Sequence, residues 1–154
     1  MTGETRSLAL VLERIVLHAM AQFRDISDTD LNSPLELPES NTALILATHL
    51  IGSAEYWVLQ VAGGHDVRRE RSAEFRATGT GTELIARYER WLTAMHETLQ
   101  TLPAERLDQP AEVSNGEPIT IRDALLHAVE HTALHQGHLE LTRQLLGYPP
   151  AGEQ

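Results

Sequence analysis

Apolar residues recur at helical spacing along most of the chain, and segments rich in Pro, Gly and polar residues break the recurrence into four blocks. In the first, about Glu4 to Phe23, the residues Leu8, Val11, Leu12, Ile15, Leu17, Ala19 and Met20 suit one buried helical face. Asp25 to Ser40 carries Asp, Ser, Asn and two prolines and reads as a long connecting loop. A second helix is predicted from an N-cap at Ser40 or Asn41 to about Ala62, where Gly63-Gly64 stops it. It is apolar nearly all round, because Leu44, Ile51 and Leu59 lie off the side that carries Leu46, Leu50 and Trp57. Such a helix is either central to a bundle or shared with a second subunit, and a homodimer is the expectation.

His65 to Gly81 is polar, ends in Thr-Gly-Thr-Gly and reads as a second flexible connection. From Thr82, the residues Leu84, Tyr88, Trp91, Met95 and Leu99 mark a third amphipathic helix that ends near Leu102-Pro103, its aromatics reading as core. Leu107 to Pro118 contains a Ser-Asn-Gly turn that could close a small β-hairpin between residues 111–113 and 119–121. Thr120 caps the last helix with Asp123 three residues on, and Gly147 with Pro149-Pro150 stops it. The expected fold is all-α: a four-helix bundle forming a single domain over residues 1–154, with long connections after helices 1 and 2 and a small β-hairpin before helix 4.

Charge narrows the partners. A net charge of -10 without a cluster of Lys and Arg argues against nucleic acid, since the short run Arg68, Arg69, Arg71 is interrupted by Glu70. No apolar stretch reads as a bilayer span and Met1 to Arg6 lacks a signal-peptide pattern, so a cytoplasmic protein with no membrane partner is expected. With no cysteine there are no disulfides, no thiolate ligands and no sulfur nucleophile of the chain's own. Thiol chemistry would need an outside thiol.

Histidine is the informative residue. His127, His131, His135 and His138, half of the chain's 8, project within an arc of roughly 80° on the last helix, beside Ala124, Ala128, Leu139, Thr142 and Leu145. Gln136, Glu140, Arg143 and Gln144 fall on the other side, so the stripe is expected to face inward. A lone inward histidine is usually a hydrogen-bonded core residue. Four together, unpartnered, would each cost about 1 to 3 kcal/mol. A metal answers this economically, because imidazoles at i and i+4 can reach one ion, although HxxxH occurs by chance and Thr132 excludes the zinc-protease form. A third ligand must come from elsewhere. His49, in the middle of helix 2 among Ile45, Leu46, Ser53 and Trp57, is the leading candidate, with a core histidine as the alternative. His18, His65 and His96 compete less well.

These stretches resemble a known family. Asp25-Ile26-Ser27-Asp28-Thr29-Asp30-Leu31-Asn32, Thr48-His49-Leu50 and the segment His127 to His138 are similar, in order, to the DinB-like superfamily of metal-binding four-helix proteins. The resemblance implies that His49, His131 and His135 bind one divalent metal ion, zinc or nickel in the first place. It places His127 and His138 beside the metal or in its pocket, His138 standing where family members often have glutamine. Ser53, Tyr56 and Gln60, on the His49 side of helix 2, are candidates for orienting a substrate, and no residue is singled out as catalytic.

Three neutral ligands leave an ion its full charge and an open position, a catalytic rather than a closed structural pattern. The superfamily includes transferases that join low-molecular-weight thiols such as bacillithiol or mycothiol to electrophiles. The leading expectation is therefore a metal-dependent thiol S-transferase in which a small thiol binds the metal as thiolate and attacks an electrophilic small molecule. The alternative is a non-catalytic metal- or ligand-binding protein of a stress response. Metal-dependent hydrolysis ranks third, because Glu55 and Glu130 point off the histidine faces and no inward carboxylate base is evident.

Overall fold

Four threonines fix where the long helices begin in the computed structural model, which describes residues 1–152. Thr2 opens α1 (Gly3–Phe23) through a reciprocal capping box with Thr5. In the link that follows, Ser27 caps a single helical turn, α2 (Asp28–Leu31), so the expected loop is partly ordered. Thr42, and not Ser40 or Asn41, caps α3 (Ala43–Ala54), because its extended backbone lets its hydroxyl accept from the amide of Ile45. The same rod continues as a π-helical segment, Glu55–Ala62. A second short turn, α4 (Arg71–Glu74), interrupts the polar link expected over 65–81. Capping boxes Thr80/Glu83 and Thr120/Asp123 then start α5 (Gly81–Thr101) and α6 (Ile121–Leu145). Each such cap contributes about 1 kcal/mol. At the far end of α6, Gly147 takes a φ of 82° that a side chain would disfavour, and the chain turns away.

The long helices close a ring in which α1 packs on α6, α6 on α3, α3 on α5 and α5 on α1. Their shared interior holds Leu12, Val16 and Phe23 from α1, Leu50 and Ile51 from α3, Tyr88, Trp91 and Met95 from α5, and Ile121 and Leu125 from α6. Each large side chain removed from water contributes about 2 kcal/mol. The Tyr88 hydroxyl meets its one polar need by donating to the Ala47 carbonyl at 2.7 Å. This is the expected all-α four-helix bundle, with α2 and α4 as additions.

Three expectations are corrected. The β-hairpin reduces to one bridge between Pro110 and Thr120, and no strand forms among the described residues. Prolines at 110 and 118 cannot donate to a ladder, and the loop between them is tied to the bundle instead. Arg143 is buried, not outward: α6 meets α1 on its second side, where Arg143 pairs with Asp25 and donates to the carbonyls of Gln22 and Pro149. Contrary to expectation, Ala43–Ala62 is long and apolar enough to cross a membrane, with mean hydropathy 1.2, but it packs between α5 and α6 as a core helix. Leu44 and Ile51 are buried within the chain, so the apolar helix no longer argues for a dimer.

Candidate metal centre

α3 and α6 lie side by side, and the i, i+4 spacing on α6 turns His131 and His135 towards His49 at the middle of α3. One ring nitrogen from each of the three lies within 4.8 Å of the others. The His49 ring centre is 5.2 Å from that of His131 and 4.8 Å from that of His135. Nitrogens about 2.0 to 2.1 Å from a tetrahedral ion stand about 3.4 Å apart, so small side-chain rotations would close the triad on one ion.

Electrostatics favour lone-pair donors here. Burial, then the neighbouring histidines, push His131 down to about 3 and His135 down to about 4, so both rings are uncharged at neutral pH. The Nδ1 atom of His131 is buried and has no hydrogen-bonding partner among the described residues. An orphaned nitrogen inside a histidine cluster fits a cation: an ion there would offset a cost of about 1 to 3 kcal/mol.

His49 is held differently. Its Nδ1 lies 2.8 Å from Oε2 of Glu74, and an ionised carboxylate only accepts, so Nδ1 is the donor in this bond and Nε2 is the nitrogen that Glu74 leaves unengaged. Arg69 grips the same carboxylate with Nε at 2.7 Å and Nη2 at 2.9 Å. Burial pushes the Glu74 carboxyl up, but hydrogen bonds from His49 and Arg69 and the Arg69 charge outweigh it and hold the group at about 2. Gly52 makes room, since a Cβ there would stand 2.9 Å from the Glu74 carboxyl carbon. Phe75 covers the other side of His49, with ring centres 4.9 Å apart.

Beside the triad opens a cavity of about 370 Å³ lined by His49, Ser53, Tyr56, Trp57, Arg69, Arg71, Ser114, Asn115, His127 and His131. Of the pocket candidates, Ser53, Tyr56 and His127 stand in its wall, the His127 ring 5.7 Å from that of His131. Tyr56 does more than line it: its hydroxyl accepts from the Ser114 amide at 2.9 Å and reaches the Ser114 hydroxyl at 3.2 Å, pinning the 108–120 loop over the opening. Gln60 does not line the cavity. The π-helical segment explains this, because i→i+5 bonding puts more residues into each turn and carries residues beyond Glu55 off the ideal wheel. His138 is exposed, its Nδ1 3.4 Å from that of His135. The other histidines lie elsewhere: His65 bonds Thr98, His96 faces Glu13, and His18 is exposed.

Glu74, Arg69, Trp57 and the Ser114-Asn115 turn did not emerge as site residues from sequence. Glu74 and Arg69 fall in a link without periodicity, where nothing marks an inward side chain. Arg71, on the same link, also faces the cavity, with its guanidinium 5.1 Å from the Phe75 ring centre.

No curated protein matches this chain. Among solved structures, a conserved protein from Enterococcus faecalis superimposes with a TM-score of 0.75 at 14% identity, covering 95% of this chain and 98% of that one. A DinB-like protein from Bacillus cereus gives a TM-score of 0.73 at 18% identity, covering 91% of each chain. At such identities the likeness shows the fold. The family model for mycothiol-S-transferase matches residues 7–147, which take in most of α1, the other three long helices and every histidine of the triad, and the chain belongs to that family.

Proposed function

We propose that this protein is a divalent-metal-dependent transferase that joins a low-molecular-weight thiol to an electrophilic small molecule, with His49, His131 and His135 as the metal ligands. The observation that carries this is the triad itself: three imidazoles from two helices, one with an orphaned buried nitrogen, and two of them, His49 and His131, in the wall of a cavity of about 370 Å³. Membership of the mycothiol-S-transferase family supports the thiol, and zinc or nickel suits an all-imidazole donor set. When bound, such an ion supplies a Lewis acid able to make a thiol nucleophilic near neutral pH.

The chain's own side chains set the surroundings. His131 and His135 stay uncharged and keep lone pairs available. His138 sits against His135 and is the group that would orient it. Ser53, His127 and Asn115 offer hydrogen bonds to the reactants, Trp57 offers an apolar wall, and the tethered 108–120 loop limits water. With no cysteine in the chain, the sulfur must come from the co-substrate. The cavity lining contains no carboxylate, which disfavours a hydrolase.

A cytoplasmic location suits a small-thiol co-substrate. The proposed homodimer now rests on exposed leucines, Leu10 and Leu17 of α1 and Leu134, Leu141 and Leu145 of α6, and a monomeric mass at all concentrations would end it. The whole proposal is tested by metal analysis of tag-free protein together with conjugation assays over a panel of thiols, mycothiol included. Stoichiometric metal and metal-dependent conjugation are expected. Metal without conjugation above a His49→Ala background would leave a metal-binding protein and end the transferase proposal.

A further inference from the structure

We propose that Glu74, clamped by Arg69, is a positioning residue that fixes the tautomer and aim of His49. This rests on the metal-centre proposal above. The short helix α4 gives the reason to look beyond packing. It is four residues long, its N-cap Glu70 makes no side-chain capping bond, and Arg71, Ser72, Ala73, Phe75 and Arg76 around Glu74 are all exposed. A single helical turn has little stability of its own. Its one buried side chain, with 6% exposure, is a carboxylate, and that carboxylate hydrogen-bonds His49 and Arg69.

A carboxylate is a poor way to fill a core: an apolar side chain of similar size would anchor the turn without desolvating a charge. The surroundings are also shaped to admit it, since α3 carries glycine at 52 where any Cβ would collide with the carboxyl group. Arg69 orients both carboxylate oxygens in a bidentate grip, which leaves Oε2 aimed at Nδ1 of His49. Free imidazole favours the proton on the other nitrogen, which would occupy the lone pair a metal needs. Glu74 reverses that preference and brings a negative charge, through one ring, to a centre whose three donors are otherwise uncharged when bound. Neither His131 nor His135 is bonded to a carboxylate among the described residues, and His135 has only the exposed His138 at 3.4 Å. The centre is thus supported from one side, by the link between α3 and α5.

The test reads the histidine, the metal and the fold separately. In metal-free protein labelled with ¹⁵N-histidine, NMR is expected to show His49 protonated at Nδ1, and Glu74→Ala to shift it towards Nε2. Zinc affinity from chelator competition is expected to fall 10- to 100-fold in Glu74→Ala, the range for lost outer partners of metal ligands. Glu74→Gln keeps an acceptor but no charge. It should preserve the tautomer and lose several-fold in affinity, and it decides the matter alone if Glu74→Ala does not fold. Glu70→Gln, which removes an exposed carboxylate from the same turn, should change neither. An unaltered tautomer and zinc affinity in Glu74→Ala, an unaltered affinity in Glu74→Gln, or an equal loss in Glu70→Gln would overturn the proposal. A wild-type protein that binds no zinc or nickel would instead sink the metal-centre proposal, and the tautomer measurement would still decide what Glu74 does to His49.

Discussion

α6 carries two buried polar groups that contrast along its length. Near its C-terminal end Arg143, 2% exposed, spends its guanidinium on Asp25 and on the carbonyls of Gln22 and Pro149. Three turns earlier His131 has an Nδ1 just as hidden from water and bonded to nothing. Both groups cost desolvation, yet only one recovers it within the chain. A polar residue that closes on its own neighbours is holding the fold together, whereas one left open is, on the function proposed above, a ligand for the metal. The remaining site residues fall between these poles: Glu74 closes the outer side of His49 so that its inner side can stay open.

The largest effect should come from breaking the open end. His131→Ala and His49→Ala are each expected to take bound metal from stoichiometric to background and to abolish thiol conjugation, while far-UV circular dichroism stays helical. Metal uptake unchanged in His131→Ala would remove the contrast, because the orphaned nitrogen would then serve no ion.

Breaking the closed end should do the reverse. Arg143→Met leaves the carbonyls of Gln22 and Pro149 without their donor and is expected to lower stability by about 2 kcal/mol. For a chain of this length that is a fall of roughly 4 to 8 °C in Tm. Metal content should not change. A loss of metal without a loss of stability would place Arg143 in the site instead.

How far could these two ends be told apart from sequence? The HxxxH register was legible because α6 is an ordinary helix over its whole length, so residues four apart share a face and His131 and His135 had to meet. His49 was legible as a mid-helix polar residue among leucines. Arg143 was not: an ideal wheel sets it opposite the stripe, and the wheel does not know that α1 covers that side as well. Gln60 lies outside the cavity lining for another reason, since the wheel assumes a uniform turn and Glu55–Ala62 winds more slowly. Glu74 was hidden because a four-residue turn has no period to read, and only tertiary contact decides that its carboxylate points in. Regular helices carry their geometry in their pattern. Links and irregular turns do not.

Acid should sharpen the comparison through a third, smaller effect. His131 and His135 sit at about 3 and about 4 in the folded protein, below the ordinary 6.5 of an unfolded histidine. The unfolded chain therefore binds more protons throughout the interval. In metal-free protein their contribution is intact above pH 6.5 and is lost as pH falls towards 4. Urea midpoints measured across that range should decline, and a His131→Gln/His135→Gln variant should decline less steeply. Glu74, at about 2 against 4.5, adds its own loss as pH falls through 4.5, so the decline between pH 6.5 and 4.5 reports the two histidines and the decline below it reports all three groups. Equal slopes in the variant and the wild type would show that the rings are not held uncharged by the fold.

The smallest effect belongs to Tyr56, which stands in the cavity wall but whose hydroxyl is already committed to the Ser114 turn. If it acts by tethering the loop, Tyr56→Phe removes two exposed hydrogen bonds and little stability, while the loop becomes free to leave the opening. KM for the electrophile should then rise a few-fold, with kcat and metal content nearly unchanged. If the hydroxyl instead acts on the reacting sulfur, kcat should fall and KM should hold. The split between the two constants assigns Tyr56 to the closed, structural class of polar groups or to the open one, which its position alone leaves it straddling.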